Sequence, residues 1–578
     1  MLSPYRVIDL SNERGLLCGQ ILADLGADVI QVEPPQGSSA RRLGPFVGDT
    51  AGVDRSLFWW AYARNKRSIA LDPEAPDDRA LLRRLAAGAD FFVESERPGR
   101  MAELGLGYEE LARENPGLVY VSITPFGQQG PKALWSDTDL TQVAAGGVAY
   151  LSGEGEMPPV RVRVPQAHAH AGADAAVGAL IAHAERLDSG RGQHVDVSMQ
   201  QSITLATMFR VLDAPIDQSP AQRVAGGVQV GRGFLRTRFR LRDGWVIVGP
   251  HFLPSTGHFM TRLLKWAAEE GLHDQALLDD DWNTFALRMI RGEVEATAYA
   301  PAEALLEEFF AHKTKAEIMA AAVKRKLLIA PVLGLDEVID SPHLEERGFT
   351  VELPHPEHPK PGRYPGPMAR FYETPITYRR AAPRVGEHGA EIRAEAQRVP
   401  SSPRGSQAEQ GGRLPLEGVK ILDLFWVLAG PGATRVLADY GATVVRVESM
   451  KRVDTLRVIP PYQFGNPHTE GAAAFQCANA NKLGITLDLA TAEGREVALD
   501  LVRWADVVTE SFTPGVIDQY GLGWETLRQI KPDLIMISSC LMGQTGPWRD
   551  FTGFGHLAAS VIGFQKLAGW PGRPPHKR

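Results

Sequence analysis

"VIDLSNERGLLCGQILADLGADVIQVEPP", Val7 to Pro35, is answered far downstream by "ILDLFWVLAGPGATRVLADYGATVVRVES", Ile421 to Ser449. Each stretch runs from a short β-branched segment through a helical one and into a second β-branched segment, the alternation of a strand, a crossover helix and a parallel strand. Other pairs follow in the same order. "NKRSIALD" from Asn65 pairs with "NKLGITLD" from Asn481, and "ADFFVESERPG" from Ala89 with "ADVVTESFTPG" from Ala505. "LGLGYEELARENPGLVYVSITPFGQQGP" pairs with "YGLGWETLRQIKPDLIMISSCLMGQTGP". From Asn65 and Asn481 onward the offset is a constant 416 positions. The chain therefore contains two copies of one unit, at a period too long for a solenoid.

Within a copy, runs such as "VIDL", "ADVIQVE", "DFFVE" and "LVYVSIT" are separated by helical stretches such as "GQILADLG" and "EAPDDRALLRRLAAG". The expected class is α/β, with a Rossmann-like large domain. No GxGxxG follows the first strand, so a dinucleotide site gains no support. "LAGPG", Leu428 to Gly432, would let a ligand approach the backbone at Ala429 and Gly430, or is an ordinary turn; the first copy has the shorter "SNERG" there. After "GRGQHVDVS", Gly190 to Ser198, the pattern changes to a strand pair turning at Asp243 and Gly244, then helices through about Leu333, which suggests a smaller α+β domain. The expected organisation is a first repeat over 1–380, with its large domain over about 1–224 and a return segment over about 335–380, and its small domain over about 225–334. Residues 381–414, rich in Pro, Gly, Ser and charge without apolar periodicity, read as a linker, and 415–578 as a partial second repeat.

Composition sets further bounds. The chain has 578 residues, 44% hydrophobic and 23% charged, a globular composition spread over several domains. A net charge of −7 with acids and bases interspersed excludes a basic footprint for nucleic acid and a polybasic arm for membranes. Cys18, Cys477 and Cys540 show no CxxC spacing, which argues for a reducing compartment and against a disulfide framework or a zinc site. With no membrane-length apolar run and no secretory layout at the start, the expected location is the cytoplasm.

"LADLGADVIQVEPP", "NKRSIALD", "RPGRMAELGLGYEEL", "NPGLVYVSITPFGQQGP", "SGRGQHVDVS" and "VIDSPHLEERGFTVELPHP" stand in the order found in class III CoA-transferases, and the chain resembles that family. Formyl-CoA transferase, carnitine CoA-transferase and α-methylacyl-CoA racemase belong to it. The resemblance implies two interlocked units, paired within this chain as a pseudo-dimer or between chains as a homodimer. It implies no metal and no redox cofactor. Acyl-CoA would be the substrate and a carboxylic acid the acceptor, with the CoA nucleotide on the large domain and the thioester at the join between units.

The same resemblance implies a nucleophilic aspartate at the start of the helix before "GRGQ", which attacks the thioester and passes through anhydride and enzyme-bound CoA thioester intermediates. Counting back from Gly190 over the family spacing places His168 there, in "PQAHAHAGADAAVGAL". Three readings are open. His168 is a polar residue in a site that has lost transfer chemistry; or it is an acid/base or acyl-accepting group, since imidazole titrates near neutrality; or the nucleophile has moved to Asp174, on another helix face. Metal binding by His168 and His170 lacks a third ligand at a recognisable spacing. The second-repeat counterpart of His168 would lie beyond Arg578, so that repeat is expected to belong to a longer tandem protein or to need another chain.

The racemase branch uses a histidine before an aspartate, where this chain has Thr138 before Asp139, and Phe554 before Gly555, so transfer is favoured over racemisation. For the CoA phosphates the resemblance points to Arg41 or Arg42, and less directly to Arg457, because a guanidinium can engage two phosphate oxygens. Ser95, Glu96 and Arg97 fall on the loop for the adenine and pantetheine side, with Phe512 supplying the expected aromatic in the second repeat. The expected function is transfer of CoA between carboxylic acids. The alternatives are a non-catalytic CoA-binding or assembly subunit and a hydrolase- or racemase-type activity on acyl-CoA.

Overall fold

The computed structural model describes residues 1–217, 221–230, 233–356, 358–396, 398–400 and 413–575. Strands β1 (Arg6–Asp9), β2 (Asp28–Glu33), β3 (Arg67–Ala70), β4 (Phe91–Glu94), β5 (Val119–Thr124) and β6 (His194–Ser198) form one sheet in the order β3-β2-β1-β4-β5-β6. Every neighbouring pair is parallel. Parallel sheets are covered on both faces, which is why the inner strands read as unbroken apolar runs rather than alternating ones; all six residues of β5 are buried. Helices α1 (Leu16–Asp24), α2 (Leu57–Ala63), α3 (Asp139–Ala145) and α4 (Ala167–Ser189) belong to the same unit.

Strands β7 (Lys420–Leu424), β8 (Thr443–Glu448), β9 (Leu483–Thr486), β10 (Val507–Glu510) and β11 (Ile535–Ser538) form a second parallel sheet in the order β9-β8-β7-β10-β11. This reproduces the first five strands of the first sheet, so the sequence repeat is a repeat of fold. Details recur with it. Asn65 and Asn481 both take the left-handed conformation, φ 63° and 62°, which asparagine tolerates better than most residues. Their side chains donate to Asp24 and Asp439 in turn. A buried lysine next door closes on the aspartate of the first strand in each copy, Lys66 on Asp9 at 2.8 Å and Lys482 on Asp423 at 2.9 Å.

The chain divides into two compact units, one comprising Met1–Val148, Pro165–Ala206 and Gly348–Leu416, the other Ala149–Val164, Thr207–Arg347 and Glu417–Arg578. In the second unit, Arg238–Arg240, Trp245–Val248 and Ile329–Pro331 make a small antiparallel sheet. Phe239, Val246, Phe252, Trp282, Phe285 and Phe310 pack around it, and Phe551, Leu557 and Val561 of the second repeat enter the same core. The small α+β region is thus built together with the second repeat. In the first unit, the proline-rich return forms a hairpin of Thr350–His355 with His358–Pro365.

Within the stretch read as a linker, residues 401–412 lie outside the described residues, but helix α5 (Gly389–Ala394) precedes them. Its Ile392 is fully buried among Ile69, Leu82 and Leu85 of the first sheet's core. Arg67 pairs with Glu391 and Glu395 and Arg6 with Glu395, which fastens the segment electrostatically. The ordered first unit therefore runs past residue 380.

Candidate active site

Helix α4 starts against α3. The carboxylate of Asp139, the first residue of α3, accepts the Ala167 N–H at 2.8 Å and so satisfies one of the free donors at the start of α4, where a negative charge is also favoured by the helix dipole. At the other end Arg186 holds α4 to the sheet by donating to Asp90 at 2.7 Å and to the Asp90 and Gly117 carbonyls. Between the ends, Ala171, Gly172, Ala175, Ala176 and Ala179 are buried. A Cβ on Gly172 would come within 2.9 Å of Leu17 Cβ, so the small residues of this helix serve its close approach to α1.

His168 is the second residue of α4, its side chain 13% exposed. Its Nε2 faces Asp137 Oδ2 at 4.0 Å. Asp137 is held from its other side by Arg14, whose Nε and Nη2 both donate to Oδ1, at 3.0 and 2.7 Å. His168 Nε2 and Asp137 Oδ2 are both buried without a hydrogen-bond partner among the described residues. Burial pushes the His168 pKa below the usual imidazole value, against the opposing pull of Asp139 and Asp137, which favours the uncharged ring. His168 also lines a recess of about 10 Å³ with Glu13, Leu16, Leu17, Phe58, Tyr62, Pro165 and Ala169. That space suits one water at most, so a larger group reaches the imidazole only if these side chains move.

Asp174 is half-buried on α4 and does not line this recess. His170 is half-buried, and among the described residues no group of three or more His, Cys, Asp or Glu side chains is placed to hold a metal ion.

Arg41, one of the two arginines expected at the CoA phosphates, is turned into the fold. It is fully buried, donating to both Glu33 oxygens, to Asp54 and to the Val53 and Pro383 carbonyls, with its guanidinium 3.8 Å from the Trp59 ring. Those donors are committed to the fold and none is free for a ligand. Arg457 repeats the pattern, paired with Glu448 and Glu470 and lying 3.5 Å from Phe475. Arg42 is exposed and makes no ion pair among the described residues, so of the two neighbours it is the one available to an anion.

The remaining candidates sit on strand-end loops. Ser95 is buried and exchanges hydrogen bonds with Asn12, and Ser511 likewise accepts from Trp426 N, so this serine ties two loops together in each copy. Arg97 is exposed and bidentate on Glu103. Phe512 packs against the core of the second sheet, 6.2 Å from Tyr520. Ala429 and Gly430 open helix α6 (Ala429–Asp439); a Cβ on Gly430 would lie 2.5 Å from the Phe425 ring, so its glycine is needed for packing. Within the first unit, Ser95 and Arg97 do not line the His168 recess.

Sequence reasoning missed two acids. Asp137 stands one position before the Thr138–Asp139 pair, and the signal was available: its second-repeat counterpart is Gly553, and that of Asp139 is Gly555. Glu94, at the end of β4, is pushed up to about 7 by burial, with Glu96 and Asp196 adding to the rise. Because the folded chain holds this proton where the unfolded chain, with an ordinary value of 4.5, has lost it, stability falls as pH rises from about 4.5 to about 7 and is level above that. Glu94→Gln should therefore remove a pH-dependent loss on the order of 3 kcal/mol, read as urea midpoints at pH 5 and pH 8 that draw together.

The chain matches the family model for CoA-transferase family III over residues 2–389 and 416–578, and it belongs to that family. It is 30% identical over 558 residues to a probable CoA-transferase of Mycobacterium tuberculosis, a match that covers 95% of this chain and 65% of that relative's length. It is also 34% identical over 399 residues to the BbsE subunit of succinyl-CoA:(R)-benzylsuccinate CoA-transferase from Thauera aromatica, covering 68% of this chain and 93% of that one. A CaiB/BaiF family protein from Brucella suis superposes with a TM-score of 0.57 at 26% identity, covering 68% of this chain and 99% of the other. No described helix is long and apolar enough to cross a membrane.

Proposed function

We propose that this chain moves CoA from an acyl-CoA to an acceptor carboxylic acid, with His168 carrying the acyl group at the position where the family resemblance implies an aspartate. Relatives named for succinyl-CoA, among them a succinyl-CoA–D-citramalate CoA-transferase of Chloroflexus aurantiacus, support a short dicarboxylic acyl-CoA as donor. The observation that carries the reading is a largely buried imidazole at the second position of α4, facing the Asp137 carboxylate.

A neutral imidazole has one nitrogen lone pair free. It attacks the thioester carbonyl, the C–S bond breaks and CoA leaves as the thiolate, giving an acyl-imidazolium that keeps its N–H proton. The acceptor carboxylate then takes the acyl group as a mixed anhydride and frees the imidazole. The retained thiolate attacks the acceptor's carbonyl, so the donor acid leaves and the new thioester forms. No resident cofactor is needed, CoA entering as substrate. Acyl-imidazoles hydrolyse readily, so a slow release of CoA thiol without acceptor is an expected by-product.

Labelled succinyl-CoA with a panel of dicarboxylic acids tests this. The expected result is a new acyl-CoA, with thiol release above background when the acceptor is omitted. CoA bound tightly with neither product nor thiol release would contradict it and favour a second reading, an assembly subunit whose partner supplies the carboxylate. The absence of a carboxylate at the start of α4 and the naming of the Thauera relative as a subunit support that alternative.

A further inference from the structure

Asp137 is buried, its side chain 1% exposed, yet only one of its oxygens is used. Arg14 donates twice to Oδ1, and among the described residues Oδ2 has no hydrogen-bond donor and lies 4.0 Å from the equally unpartnered Nε2 of His168. A buried carboxylate oxygen with no donor is costly, and so is a buried ring nitrogen with no partner. Glu33, by contrast, gives both of its oxygens to Arg41 in the same unit.

We infer that Asp137 is a positioning residue for His168: Arg14 fixes the carboxylate, and the spare oxygen holds the proton on Nε2 so that the Nδ1 lone pair faces the substrate. The inference rests on the proposed role of His168. A separation of 4.0 Å is not a hydrogen bond, and such contacts commonly close only when substrate binds. The imidazole's other charged neighbours are Asp139, Arg14 and Glu13. Asp139 is already bonded to the Ala167 N–H. Asp137 is therefore the carboxylate whose unbonded oxygen meets the ring.

Asp137→Asn tests this, because Oδ1 can still accept from Arg14 while an amide N–H replaces the spare oxygen and presses His168 toward the opposite tautomer. In the full chain labelled with 15N-histidine, with His168→Gln assigning the signal, the expected result is an Nε2–H ring in the parent, conversion to Nδ1–H in Asp137→Asn, and a lower imidazole titration. Turnover should fall by roughly 10²-fold or more in kcat with KM little changed, and thermal stability should be retained. An unchanged tautomer and titration in Asp137→Asn would overturn the positioning role whatever the activity. The expected tautomer shift in a chain whose turnover does not depend on His168 would leave the pairing standing and defeat the proposed function instead.

Discussion

His168→Ala is expected to abolish acyl transfer, lowering kcat/KM by about 10³-fold or more, while the melting temperature stays close to that of the parent. The two outcomes separate because of what His168 does not do. Its imidazole makes no hydrogen bond among the described residues, so alanine, a strong helix former, removes chemistry without removing support. His168→Asp is the informative companion. Asp137 and Asp139 already place two carboxylates beside this position. Like-charge repulsion would hold a third partly protonated at neutral pH. The variant should carry CoA as an enzyme thioester but turn over slowly, with activity rising at higher pH. Steady-state kinetics with succinyl-CoA and the preferred acceptor check both substitutions; full activity in His168→Ala would remove the residue from the mechanism.

Lys66→Met is expected to destabilise the first unit by about 3–5 kcal/mol, the cost of leaving a buried charge unpaired. Lys66 and Asp9 are both fully buried, and the ammonium also donates to Gln31 Oε1 at 2.9 Å and the Leu16 carbonyl at 3.1 Å. The fold is shaped around the pair: a Cβ on Gly19 would fall 2.0 Å from Asp9 Oδ2, so only glycine fits where α1 crosses it. With Lys66 gone, Asp9 keeps the Ser11 hydroxyl and N–H as donors but no counter-charge. Lys66→Met combined with Asp9→Asn should recover much of the loss, since replacing both members of a buried pair costs far less than removing one. Urea unfolding of the single and double variants measures the difference. Equal destabilisation by the two would show that the charge pairing is not what matters.

Much of the architecture was legible because it is written twice. The paired strand and helix runs gave the α/β class, and the parallel order of the two sheets follows the duplicated pattern strand by strand. Asn65 and Asn481 recur because one backbone position demands the left-handed conformation, a local requirement that leaves a local mark.

What failed to show were interactions between distant segments. Arg41 looks like a ligand-binding arginine from its neighbours, but its partners include the Pro383 carbonyl, some 340 positions away. Helix α5 carries one buried apolar residue, Ile392, and relies on ion pairs to Arg6 and Arg67, so its composition resembled a linker. Phe551, Leu557 and Val561 serve the small antiparallel region although they fall in the second repeat. At the site, the spacing points to His168 but not to Asp137, because Asp137 stands one position before Thr138 and Asp139, where the His–Asp pattern falls.

Rapid quenching of the protein with labelled succinyl-CoA, followed by peptide mass mapping, tests the chemistry at His168 most directly. A succinyl group on the peptide containing His168, absent from His168→Gln and discharged by acceptor acid, is the predicted result. A succinyl or CoA adduct on Asp137, Asp174 or any other acid, with the His168 peptide unmodified, would contradict it.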